Sequence, residues 1–341
     1  MQKFIFLPLL SLFIFNLNAT TVDIKIPEVP KVPKVEAVVP EVKVHSSGNY
    51  KTNEEILEEY NKEKVVHFSN HVAPELVEET ASKDNIIEVG DVKNGRVPAY
   101  LHAPIISPKE VSTLLESAGF TVLTTFKVDK KGLATSIVFT NPELIKAASK
   151  TNRGFASSLH VTVDKKDKII SITNPIYILK AFLQKDYDDA LAKATLKKLR
   201  DTFKNLENSD EILKERILPN YQFMAGMPKY QDMQSIKKKS TAQLLAKAKK
   251  SKKLVYQIDL LNGSYIVGVK LSKRTSKFIK KTGYKNAGLL PYPVLIENGE
   301  AKILDPKYYI AVMYPMLKMS QFMTIATIPG AINKDVDRVF R

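Results

Sequence analysis

Residues 159–177 read LHVTVDKKDKIISITNPIY, and residues 290–308 read LPYPVLIENGEAKILDPKY. Each begins as an apolar β-rich run, turns through charged residues or Asn-Gly, returns as a second β-rich run and meets Asn-Pro or Asp-Pro. The Asn or Asp side chain can cap a helix whose first residue, proline, has no amide hydrogen to satisfy. At one offset of 131 residues Leu159 falls on Leu290, Val163 on Val294, Ile172 on Ile303, Pro175 on Pro306 and Tyr177 on Tyr308. Further out, Gly132 falls on Gly263. The pattern predicts one α+β unit written twice.

Working outward, the first copy starts with a strand over 97–105. Ser107-Pro108-Lys109-Glu110 then sets a capping box at the head of a helix that stops at Gly119. Strands are predicted at 120–128 and 133–140, joined by Asp129-Lys130-Lys131-Gly132, before Asn141-Pro142 opens a second helix. After the quoted hairpin, Asn174-Pro175 opens a helical stretch running to about Leu206. In the second copy Ser240 and Gln243 start a helix to about Lys250. A hairpin follows at 254–260 and 264–271 across Asn262-Gly263, and then a helix at 273–281. The expected fold class is α+β, two tandem repeats, each an antiparallel sheet with helices on one face. The expected segments are 1–19 leader, 20–50 extended linker, 51–90 acidic helical segment, 91–206 first repeat, 207–239 connector and 240–341 second repeat.

Phe139-Thr140-Asn141-Pro142, Leu159 with its alternating strand, and Ile172-Thr173-Asn174-Pro175 resemble the domain-of-unknown-function family three hundred and two. The second copy carries the later part as Leu289-Leu290-Pro291-Tyr292-Pro293-Val294 and Ile303-Leu304-Asp305-Pro306, with Leu271-Ser272-Lys273 in place of the first Asn-Pro pair. The resemblance implies a TBP-like α+β fold in each copy. It supplies no reaction, because function belongs to a site and not to a fold. Cysteines common in that family are replaced here by Thr140, and by His160 and Tyr292 near the second place.

The amino terminus gives the address. Lys3 precedes an apolar run from Phe4 to Phe15, and Leu17-Asn18-Ala19 ends it at a small residue. This is the form of a secretory signal peptide and implies a periplasmic protein; an uncleaved anchor is the alternative. Residues 22–45 alternate Pro, Val, Lys and Glu, which favours an extended polyproline spacer. Cysteine is absent, which excludes disulfides, thiolate nucleophiles and Cys-ligated metals.

The net charge of +16 is unevenly spread: residues 51–90 hold ten acids and four lysines, while 237–253 hold eight lysines and no acid. Partners consistent with an exported cation are an anionic envelope surface or an acidic protein, the acidic segment of the same chain included, and not nucleic acid. The helix at 240–250 and Lys270, Lys273, Arg274, Lys277, Lys280 and Lys281 make the second copy the basic half.

Candidate chemistry is sparse. No G-x-S-x-G elbow, H-E-x-x-H or P-loop occurs, so the chain is expected to be a non-enzymatic binding or scaffold module without a cofactor. Asn141, His160, Tyr177, Tyr292, Asp305 and Tyr308 fall near strand–helix junctions and are the candidate ligand-binding residues, with Asn174 as a third junction cap. A small-molecule enzyme or carrier would use the same junctions. Met313, Met316, Met319 and Met323 recur at helical spacing, and Met224, Met227 and Met233 form a second group. Thioethers suit Cu(I) and also fill cores. His67 and His71 stand at i, i+4 with no third ligand in view.

Overall fold

The computed structural model describes residues 87–341. The leader, the spacer, nearly all of the acidic segment and the His67/His71 pair therefore lie outside the described residues. The described chain is an α+β fold of antiparallel sheets and helices. No helix among the described residues is long and apolar enough to cross a membrane.

The amino-terminal half runs β1 (Arg96–Pro98), β2 (Tyr100–Pro104), α1 (Pro108–Ser117), β3 (Thr121–Lys127), β4 (Ala134–Thr140) and α2 (Pro142–Ala148). It continues through β5 (Leu159–Asp164), β6 (Ile169–Thr173), α3 (Pro175–Leu183), α4 (Asp189–Thr202), β7 (Glu207–Asn208) and β8 (Ile212–Lys214). Six strands form an antiparallel sheet in the order β3-β4-β5-β6-β2-β7, and β1 pairs with β8. The helices start where side chains satisfy free amides. Ser107 accepts from the Glu110 amide at 3.1 Å, Asn141 from Leu144 at 2.8 Å and Asn174 from Ile176 at 3.0 Å. Gly119, at φ +81°, ends α1 in a conformation that costs glycine little. The helical stretch expected to reach Leu206 breaks at Gln184, whose φ is +58°, and restarts as α4 behind Asp188.

One face of this sheet is apolar. Ile137, Phe139, Leu159, Val161, Ile172 and Leu101 are buried there, at about 1.5–3 kcal/mol for each large side chain. Helix α1 packs on β3 and β4, while Leu196 of α4 and Leu101 meet at Gly90. The opposite face carries Ser136, His160, Thr162, Ser171 and Thr173, all buried. Residues 284–289 of the other half cover it: a Cβ on Gly288 would stand 3.1 Å from Thr173 Cγ2 and 3.3 Å from Tyr100 Cε1.

The carboxyl-terminal half runs β9 (Gln234–Lys238), α5 (Thr241–Lys250), β10 (Leu254–Asp259), β11 (Tyr265–Val269), α6 (Ile279–Thr282), β12 (Tyr292–Glu297) and β13 (Glu300–Ile303). It ends with α7 (Pro306–Met313), α8 (Met319–Met323) and α9 (Ile328–Asp337). Its sheet is separate from the first, with the order β10-β11-β12-β13-β9. Ser240 caps α5 and Asp305 caps α7. Ser272 accepts from the Thr275 amide at 3.2 Å and opens the helical turns that lead into α6. Here residues 154–156 of the first half provide the cover: a Cβ on Gly154 would come 2.7 Å from Leu295 Cδ1 and 3.0 Å from Ile266 Cδ1. Each half thus lends a connector to the face of the other's sheet.

Two further expectations need correction. The stretch 207–239, read as a connector, contributes β7 and β8, and its end is β9, an edge strand of the second sheet. Nor does a single offset of 131 describe the strand register. Both first hairpins carry a bulge, between Val122 and Thr124 in β3 and between Leu254 and Tyr256 in β10. Beside the bulge Thr124 pairs with Val138, and Tyr256 pairs with Gly268. The step is therefore 132 residues from β3 to β10 but 130 from β4 to β11, because the second turn is two residues shorter. Leu159 pairs with Phe139 and Tyr292 with Val269, so the counterpart of Leu159 in the ladder is Tyr292, and Leu290 precedes β12. In the last hairpin, Asn298 and Gly299, at φ +52° and +74°, make a two-residue turn where the first half uses four residues.

Candidate functional site: a cationic cleft between the two halves

The turn between β3 and β4 spans Val128 to Ala134, whose main chains bond at 3.0 Å. Asp129 organises it, accepting from the amides of Lys131 at 3.1 Å, Leu133 at 2.8 Å and Ala134 at 3.2 Å. The turn holds Lys130 and Lys131 outward, beside Lys127 at the end of β3. Across from it lie Lys270, Lys273, Arg274, Lys277 and Lys280, on the segment that leaves β11 and enters α6. Between them is a cleft of about 830 Å³, within the roughly 300–1,000 Å³ of ligand pockets.

Eight cationic side chains line this cleft against one carboxylate, Asp129, already engaged by three amides. All eight are exposed. The floor is apolar, made by Phe126, Val128, Val269, Leu271, Ile279, Leu290 and Pro291. Lys270 Nζ sits 5.8 Å from the centroid of the Phe126 ring, a cation–π distance. Like charges on low-dielectric walls reinforce one another's potential and draw in anions.

The second half has a hairpin of the same kind, and its turn is tied to the first half. The amide of Leu261, in the β10–β11 turn, donates to Ser149 Oγ at 2.8 Å just beyond α2, while Leu260 reaches Gly154. Among the described residues no hydrogen bond crosses the cationic cleft. Its turn is two residues longer and carries the exposed Lys130 and Lys131.

The structure spreads the six junction residues through the interior, and none of them lines the cleft. Asn141 Oδ1 and Asp305 Oδ1 cap α2 and α7, and Asp305 also accepts from Gln234 Nε2. The Tyr177 hydroxyl donates to the Val312 carbonyl at 2.7 Å; beside it Tyr100 donates to Met313 at 2.6 Å and Tyr221 to Ala311 at 3.3 Å. Three tyrosines thereby satisfy the last carbonyls of α7, which a helix end leaves free. Tyr292 donates to Leu304 at 3.0 Å, and the Tyr308 ring packs between Tyr221 and Tyr230. Burial pushes the hydroxyls of Tyr177, Tyr292 and Tyr308 well above the usual tyrosine range, so they stay protonated.

The methionines are not on one helical face. Tyr314-Pro315 ends α7 after Met313, since proline offers no amide to continue the ladder. Met313 is buried, while Met316, in the turn, and Met319 and Met323, on α8, are exposed. Among the described residues, no three His, Asp or Glu side chains gather as a metal site.

His160 is buried on β5, with Ser136 Oγ 3.3 Å from its Nδ1, beside a void of about 10 Å³. Burial lowers its pKa from 6.5 to about 4, only partly opposed by a hydrogen bond to the Leu290 main chain. Between those two values the unfolded chain takes up a proton that the folded one refuses. The stabilisation is complete above pH 6.5 and is lost as pH falls towards 4, by about 3 kcal/mol in all. Asp164 and Glu211, raised by burial, act in the opposite sense, and His102, also lowered to about 4, in the same sense. The expected outcome is that His160→Gln flattens the urea-midpoint profile between pH 6.5 and 4 relative to the parent. An unchanged slope would remove His160 as its source.

The sequence had marked the lysines after β11 but not Lys127, Lys130 and Lys131, which read only as a hairpin and its turn. Comparison of the chain with protein-family models, curated proteins and solved structures returned no match.

Proposed function

We propose that the chain is an exported, periplasmic, non-enzymatic binding module of the cell envelope, built by tandem duplication of one α+β unit, that holds an anionic ligand in the cationic cleft. The single observation that carries the reading is the cleft itself, eight cations around an apolar floor with its one carboxylate already committed. Duplication is supported by the shared order of β3-β4-β5-β6-β2 and β10-β11-β12-β13-β9, by the matching bulges and by the exchanged connectors. The resemblance to the domain-of-unknown-function family three hundred and two fits such a unit and adds no reaction. Export rests on the apolar run from Phe4 to Phe15, and in that compartment the anion belongs to the envelope and not to nucleic acid.

Calorimetric titration of the full chain with inorganic triphosphate tests the site. Lys130→Glu/Lys273→Glu/Lys277→Glu should weaken binding by about tenfold or more, and the parent's affinity should fall as salt shortens the screening length below about 8 Å. Lys249→Glu/Lys250→Glu/Lys252→Glu removes the same charge outside the cleft and should change affinity little. Equal losses in the two variants would reduce the cleft to one part of a diffuse basic surface.

A further inference from the structure

The anion-binding reading leaves the floor of the cleft unused. A hydrated polyanion needs lysines and no apolar wall, and a plain basic face of the protein would serve it as well. Here the cations stand on the rim, exposed, while the depth of the cleft is lined by Phe126, Val128, Leu271, Ile279, Leu290 and Pro291. Lys270 lies over the Phe126 ring and so brings charge and apolar surface together at one point.

The corresponding hairpin of the second half shows what happens without this arrangement. There the main-chain amide of Leu261 bonds Ser149 Oγ just beyond α2, and the buried Leu260 packs at Gly154. In the first half the longer lysine-bearing turn faces five further cations. Mutual repulsion of two cationic walls opposes closure, and an anion between them relieves it. An occupant that also covers the apolar floor adds the hydrophobic term, which scales with the apolar area removed from water.

Resting on the anion-binding reading, we infer that the ligand is an anionic amphiphile, with a phosphate or carboxylate head among the rim lysines and an alkyl chain on the floor. A lipid drawn from a membrane and a free alkyl phosphate present the same chemistry to this cleft. The volume of about 830 Å³ suits one such molecule.

The test is a chain-length series on the full chain: inorganic phosphate, butyl phosphate and octyl phosphate, each below its micelle concentration, by calorimetry. Complete burial of one methylene is worth about fourfold in affinity, so even partial burial should separate octyl from butyl phosphate by about tenfold. Phe126→Ser should shrink that ratio, and the parent series reads the ratio with no variant at all. Equal affinity for butyl and octyl phosphate, with triphosphate still bound, would overturn the amphiphile while the anion reading stands. No binding by any member, triphosphate included, would overturn both. A parallel sedimentation arm uses phosphatidylcholine vesicles doped with phosphatidylglycerol. Capture by these vesicles without any octyl phosphate binding would replace the cleft ligand by adsorption to a charged bilayer surface.

Discussion

Replacing Glu297 by alanine should destabilise the fold by about 3–5 kcal/mol. Glu297 ends β12 with its carboxylate buried, 1% exposed, and binds three groups. Lys302 Nζ lies 2.8 Å away, and the amide of Asn152 reaches both oxygens at 3.1 and 3.2 Å. Ser264 Oγ stands at 3.5 Å. Asn152 belongs to the connector of the first half, so this carboxylate ties that connector to the second sheet. Alanine would leave the largely buried Lys302 without its counter-charge and the Asn152 amide without an acceptor, and an uncompensated buried charge is the costly part. Glu297→Gln keeps an acceptor for the amide and should cost less. Glu297→Gln/Lys302→Met, which removes both charges, should recover most of the remaining loss. Urea denaturation with an unchanged m-value measures all three. A loss under about 1 kcal/mol for the alanine variant would mean that water replaces the tie.

What was legible in the sequence is what local chemistry decides. Ser107, Asn141, Asn174, Ser240 and Asp305 cap helices where Ser, Asn or Asp precedes a good first turn. Asn262-Gly263 and Asn298-Gly299 turn hairpins, with positive φ at Gly263, Asn298 and Gly299. What escaped is decided by partners distant in the chain. Strand β9, Gln-Ser-Ile-Lys-Lys, lies at the edge of its sheet with one neighbour, so it needs little apolar residue content. Its counterpart β2 lies between β6 and β7, and its buried Leu101 and Ala103 gave it away. The register slipped because identity at one offset counts residues, whereas the ladder counts pairs and absorbs a two-residue change in a turn without moving the sheet. The helical stripe of methionines failed at Pro315, a breaker plainly visible in the chain. The cleft was half legible: one lysine wall lies at 270–280 and the other at 127–131, and only the packing of the two halves brings them together.

The register makes a sharper prediction that bears on the proposed duplication. At Gly268 an added Cβ would stand 2.0 Å from Cε1 and 2.2 Å from Cδ1 of Tyr256, the residue directly across the β10–β11 ladder. The obstacle is the body of a buried ring and not a flexible tip, so Gly268→Val should cost about 3 kcal/mol, the upper part of the range for overpacking. Tyr256→Thr alone empties the same space and should cost a similar amount, about 3–5 kcal/mol, the range for deleting a buried aromatic ring. In the first half that place beside the bulge is held by Thr124 and Val138, with Val138 fully buried. If the two halves descend from one unit, small-and-branched and large-and-glycine are alternative fillings of one slot. Gly268→Val/Tyr256→Thr should then be much more stable than the sum of its parts, with a coupling of about 2 kcal/mol or more. Independent sites would add within about 0.5 kcal/mol, and that result would make the equivalence of the two ladders a matter of backbone order alone. Gly268→Val in a Tyr256→Phe background separates volume from the hydroxyl, since phenylalanine keeps the ring and should give no rescue. The expected ranking therefore places the Thr/Val pair above the Phe/Val pair, because the slot accepts one large side chain or two small ones and not a ring beside a branched neighbour.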